Sequence, residues 1–155
     1  MIACVALAAL STTALPAHAR WGFTPVDTWA RSGDRIVGQR GGETGPLRVW
    51  TPAGSTRRVI WSIQNLGGGT PKLHQVTFHG CNDANGFRFR YVTPAGYDVT
   101  WPVTHDGYVA ESVSAGEKAW LRVVITSTVR DRSRTCALHG EGMSATDTVQ
   151  VWAHS

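Results

Sequence analysis

The constraint that most narrows the fold is a period-two alternation that returns along the chain between glycine- and proline-rich turns. Phe87-Arg88-Phe89-Arg90-Tyr91 puts three aromatics on one face of an extended segment and two arginines on the other. Arg57–Gln64 likewise places Val59, Trp61 and Ile63 together, and Thr148–Trp152 alternates in the same way. Trp120–Ile125 is richer in apolar residues and reads as a central strand. Shorter candidates are Val26–Ala30, Leu47–Trp50, Leu73–His79, Tyr97–Trp101, Tyr108–Ser112 and Thr135–His139. Turn signals separate them: Pro52-Ala53-Gly54, Gly67-Gly68-Gly69, Asn82–Gly86, Pro94-Ala95-Gly96, Asp106-Gly107 and Ala115-Gly116. No long stretch carries a 3.6-residue period closed by helix caps. At 155 residues the chain holds one core. The pattern predicts an all-β, Ig-like antiparallel β-sandwich of about seven to nine strands over residues 45–155, with residues 20–44 adding an edge strand and a Gly-rich loop.

Residues 1–19 read as a signal peptide. Residues 2–15 carry no charge, and Pro16 and the small-x-small triplet Ala17-His18-Ala19 follow. That run is too short to span a bilayer, and no second apolar stretch follows it, so no membrane span is expected. The expected location is secreted or extracellular. Cys81 and Cys136 remain after the leader, and two cysteines in an exported domain pair. Closing that loop restricts the unfolded chain by about 4 kcal/mol in the chain-entropy picture. His79 and His139 flank the same cysteines, so the alternative is a Cys2His2 metal site of His79, Cys81, Cys136 and His139.

The net charge of +4 is carried almost wholly by arginine. The arginines are spread along the chain, which argues against nucleic acid and fits a weak attraction to anionic cell-wall polymers. No residue set supports an enzyme. There is no Gly-x-Ser-x-Gly elbow, no phosphate loop after Gly67-Gly68-Gly69, and no paired carboxylates across a cleft. Asn82-Asp83-Ala84-Asn85-Gly86 lacks the length and the closing glutamate of a calcium loop and reads as a turn. No cofactor is expected.

The seven tryptophans are the suggestive feature. Trp61 belongs to the core by its alternation. Trp50 and Trp101 border turns, and Tyr97 lies beside a third; exposed rings of this kind stack on the apolar faces of sugars. Trp50, Trp101 and Tyr97 are therefore the candidate ligand-binding residues.

The order of these features resembles the Ig-like β-sandwich accessory domains of secreted bacterial proteins, in the style of the alpha-galactosidase-associated and CARDB groups. The likeness runs over about residues 24–152, through Pro52-Ala53-Gly54, Ile63-Gln64-Asn65-Leu66-Gly67, Gly86–Tyr91, Tyr97–Thr100, Ser114–Glu117 and Asp147-Thr148-Val149. It implies a non-catalytic interaction or structural module of the cell surface or extracellular space, with no catalytic residues to carry over. The alternative is a carbohydrate-binding module using exposed aromatics. The partner is then a cell-wall polysaccharide or another extracellular protein.

Overall fold

The computed structural model describes residues 26–38, 45–67, 75–110, 113–142 and 146–155. Residues 1–25, including the expected signal peptide, and part of the Gly-rich loop lie outside them. The described residues form ten strands and one short helix: β1 (Val26–Ser32), β2 (Arg35–Val37), β3 (Leu47–Trp50), β4 (Thr56–Asn65), β5 (Val76–His79), β6 (Phe87–Val92), α1 (Thr100–Thr104), β7 (Tyr108–Ala110), β8 (Lys118–Ser127), β9 (Ser133–Glu141) and β10 (Thr146–His154). No helix among them is long and apolar enough to cross a membrane.

Two five-stranded sheets, ordered β2-β1-β4-β8-β6 and β3-β10-β9-β5-β7, face each other as an all-β sandwich. The alternation explains the core. Val59, Trp61 and Ile63 of β4, Leu121, Val123 and Ile125 of β8, and Phe87, Phe89 and Tyr91 of β6 are buried from one sheet. Leu47 and Val49, Val149 and Val151, Leu138, and Val76 and Phe78 meet them from the other. Trp61 packs edge-on against Phe78 at 4.7 Å and 83°. Arg88 and Arg90 point out.

Three expectations are corrected. First, residues 20–44 supply more than an edge strand: β1 is flanked by β2 and β4, with Val26, Thr28 and Ala30 turned inward. It lies so close to β9 that a Cβ on Gly140 would overlap Thr28 and Ile63. Second, the sandwich is not wholly antiparallel, because β3 pairs in parallel with β10. Third, Tyr97–Trp101 is not a strand. Pro94 and Gly96 close a turn in which the Gly96 N–H donates to the Thr93 carbonyl at 2.9 Å. The chain then enters α1, where Pro102 occupies the first turn and needs no N–H partner.

The disulfide joins Cys81, in the β5–β6 connection, to Cys136 of β9. Both sulfurs are therefore spent, and the Cys2His2 alternative fails. The Tyr91 hydroxyl sits over the bridge: it accepts from the Cys81 N–H at 3.0 Å and donates to the Cys81 carbonyl at 3.1 Å. Burial pushes this hydroxyl far above the ordinary tyrosine range, so it stays neutral and able to donate.

Two predictions follow from the packing. Phe89→Ala costs about 3–5 kcal/mol in denaturant unfolding, as for a buried aromatic; a loss under about 1 kcal/mol contradicts the inward placement. A raised folded-state tyrosine pKa gives stability that is complete below the unfolded value of about 10 and is lost as pH rises through and above it. Unfolding free energy should therefore fall from pH 9 to pH 11. Tyr91→Phe should lower stability by about 1–3 kcal/mol at neutral pH and flatten that alkaline decline. An unchanged slope in the variant contradicts the assignment.

Candidate functional site

β6 is an edge strand, and its outward N–H groups are covered by side chains rather than by another strand. The Phe89 N–H donates to the Asp83 carboxylate at 2.8 Å, and the Tyr91 N–H to the Thr100 hydroxyl at 2.9 Å. The same covering segment builds a groove of about 540 Å³ between the β5–β6 connection and α1, with Phe89 as its floor and Asn82, Asp83, Asp98, Trp101 and His105 around it.

Trp101 is 63% exposed on this rim. It stacks on the His105 imidazole, centroids 4.8 Å apart and planes 10° from parallel. The imidazole is itself held: its Nδ1 lies 2.9 Å from the Trp101 carbonyl and 3.0 Å from the Thr104 hydroxyl, which donates to the Thr100 carbonyl. The indole is thus a fixed platform. Asp98 accepts from the Thr100 N–H at 2.9 Å and from Arg90 Nε at 2.6 Å. The Thr100 side chain first, and then its backbone N–H and Arg90, hold the Asp98 carboxyl below the usual carboxylate range against the opposing pull of desolvation. An aromatic plate beside two held carboxylates can take a ring's apolar face and its hydroxyls together.

All three ring residues predicted from the sequence are exposed, Trp50 at 54% and Tyr97 at 72%. The structure does not bring them onto one surface. β3 lies beside β1 and β2, whereas α1 lies beside β5 and β6, so Trp50 and Trp101 occupy opposite edges of the sandwich. Trp50 leans on His154 at 5.0 Å, and His154 stacks on Trp152, which carries the Arg48 guanidinium over its ring at 5.3 Å. Tyr97 lies in the turn, its N–H donating to the Thr93 hydroxyl.

His79 and His139 are direct cross-strand neighbours, as the metal alternative requires. They lie on the outer face, while Cys136 and the bridge face inward. His79 Nε2 pairs with Glu141 at 3.2 Å, and His139 Nδ1 lies 2.8 Å from the Thr148 hydroxyl. Among the described residues no cluster of three metal-ligating side chains occurs.

Sequence reasoning missed Trp29 and Trp120, which flank Ser62 on the outer face of the first sheet. Ser62 had a signal, since it alternates with core residues Trp61 and Ile63.

No protein-family model matches the chain, and no curated protein does. Solved structures similar to it include a conjugative transposon lipoprotein from Bacteroides eggerthii, 13% identical, covering 73% of this chain and 94% of that one with a TM-score of 0.45. Another is the N-terminal domain of PorA, 15% identical, covering 81% of this chain and 96% of that one with a TM-score of 0.39. The resemblance to the alpha-galactosidase-associated and CARDB groups is not confirmed.

Proposed function

We propose that the chain is an exported, non-catalytic binding module of the bacterial cell surface or extracellular space, and that the groove beside α1 takes a sugar unit of an extracellular polysaccharide. The observation that carries this reading is the exposed Trp101 indole, braced by His105 over a groove edged with hydrogen-bonding side chains. Export is supported by the apolar leader ending in Ala17-His18-Ala19 and by the Cys81–Cys136 bridge, since disulfides persist in oxidising compartments. A non-catalytic role is supported by the groove's carboxylates. Asp83 is committed to a β6 N–H, and Asp98 to Arg90 and Thr100, so both serve the covering of a sheet edge.

Co-sedimentation of the purified protein with insoluble cell wall, chitin and cellulose tests the reading. Retention on at least one polymer should survive high salt and fall at least tenfold in Trp101→Ala. The exposed β7 residue Val109 supplies the control, and Val109→Ala should bind as the parent does. Absence of retention, or retention indifferent to Trp101→Ala, overturns the sugar-binding reading.

A further inference from the structure

The outer face of the first sheet carries a second arrangement, of opposite charge to the groove. Its register sets Trp29, Ser62 and Trp120 side by side across β1, β4 and β8. Both indoles stand on the solvent side of the sheet, because Ala30, Trp61 and Leu121 point into the core. Trp29 is 8% exposed, and the Lys118 ammonium lies 5.4 Å from its ring centre. Between the rings, Ser62 is 1% exposed and its Oγ has no hydrogen-bond partner. That hydroxyl lines a hollow of about 300 Å³ with Trp29, Arg31, Ile60, Lys118 and Trp120. A buried hydroxyl without a partner is costly, and Ser62 is one of the residues that line this hollow.

The next row on the same face is Arg31, Ile60 and Arg122, and the row beyond it is Arg58, Val124 and Arg90. Rows on one face of a sheet repeat at about 7 Å along the strands. Cations therefore recur from Lys118 through Arg31 and Arg122 to Arg58, with one carboxylate, the buried Asp27, in the Lys118 row. Among the described residues, Arg90 at the far margin is the member of this set paired with a carboxylate, Asp98. A line of positive groups at regular spacing suits a linear polyanion better than one small anion.

We propose that this face binds an acidic polysaccharide, with the Ser62 hydroxyl bonding a sugar hydroxyl between the two indoles and the arginine rows pairing with carboxylate, sulfate or phosphate groups along the chain. The site is distinct from the groove beside α1. It shares with that reading only the placement of the protein outside the cytoplasm. A nucleic acid would meet the same cations, but the disulfide fits the oxidising compartment of the proposed export, and a single buried serine between two indoles matches one hydroxylated ring rather than a run of stacked bases.

Binding of the full protein to polygalacturonate, heparin, neutral dextran and a single-stranded DNA oligomer, followed by tryptophan fluorescence and calorimetry, tests this. The protein should bind at least one of the two acidic glycans and not dextran, with affinity falling as salt rises. Whether the carboxylated or the sulfated polymer binds more tightly reports the anionic group. Trp120→Ala should weaken binding at least tenfold. Ser62→Ala should weaken it several-fold while leaving the melting temperature equal or higher, a split that a serine serving only the fold would not give. Val109→Ala should match the parent. DNA binding as tight as that of the acidic glycans, equal binding of dextran, no binding of either acidic glycan, or indifference to both Trp120→Ala and Ser62→Ala each overturns the proposal. The groove reading is judged separately, by Trp101→Ala on insoluble polymers at high salt.

Discussion

The joint between the two sheets rests on one contact. Tyr91 leaves the first sheet, crosses the core and closes both backbone groups of Cys81 with a single hydroxyl, directly over the Cys81–Cys136 bridge to the second sheet. Gly80 is required beside it, since a Cβ at that position would overlap the Tyr91 hydroxyl. Trp61 packs edge-on between this tyrosine and Phe78, so the largest buried ring spans the same seam. This joint fixes where β6 begins and which way its side chains face. From that come the inward Phe89, the outward Arg90, and the N–H groups that Asp83 and Thr100 cover. The groove beside α1 is thus a consequence of how the molecule protects a sheet edge.

Two faces of opposite sign follow. The groove is edged by Asp83 and Asp98, while the outer face of the first sheet presents Lys118, Arg31, Arg122 and Arg58 around one buried carboxylate, Asp27. Arg90 and Asp98 form the boundary between them. Both partners are largely exposed, so the pair adds at most about 1 kcal/mol to stability. Its role is positional, holding Asp98 against α1. A neutral ring stacked on Trp101 and an acidic chain lying across β1, β4 and β8 would not compete, and one module could then hold a surface containing both kinds of polymer.

How much could be read in advance depended on whether the relevant fact was local. The alternations in β4 and β6 are local, and they placed Val59, Trp61, Ile63 and the three β6 aromatics correctly in the core, while the apolar run of β8 marked an interior strand of the first sheet. Trp50, Trp101 and Tyr97 could be picked out as candidates from the turns beside them, but their exposure is a fact of the folded chain. The aromatic alternation in Tyr97-Asp98-Val99-Thr100-Trp101 imitated a strand, and tertiary context overrode it: Asp98 and Thr100 are recruited to bond each other and the edge of β6. The idea that His139 joins Cys136 in one metal group failed on a countable fact, because a separation of three along a strand reverses the face. The pairing of Trp29 with Trp120 across Ser62 was not legible. It depends on the register of three strands, and nothing local sets that register.

In the proposed arrangement Trp101 and the Trp29–Trp120 pair contact ligand, while Trp61 only holds the sheets together. The most direct measurement is the set of indole N–H resonances in a nitrogen-15-labelled sample, assigned by single tryptophan substitutions and titrated with acidic and with neutral oligosaccharides. Acidic chains should move the Trp29 and Trp120 signals, neutral chains should move Trp101, and Trp61 should stay in place throughout. Signals that do not move with either ligand, or movement confined to Trp50 and Trp152 or spread through Trp61, would contradict it.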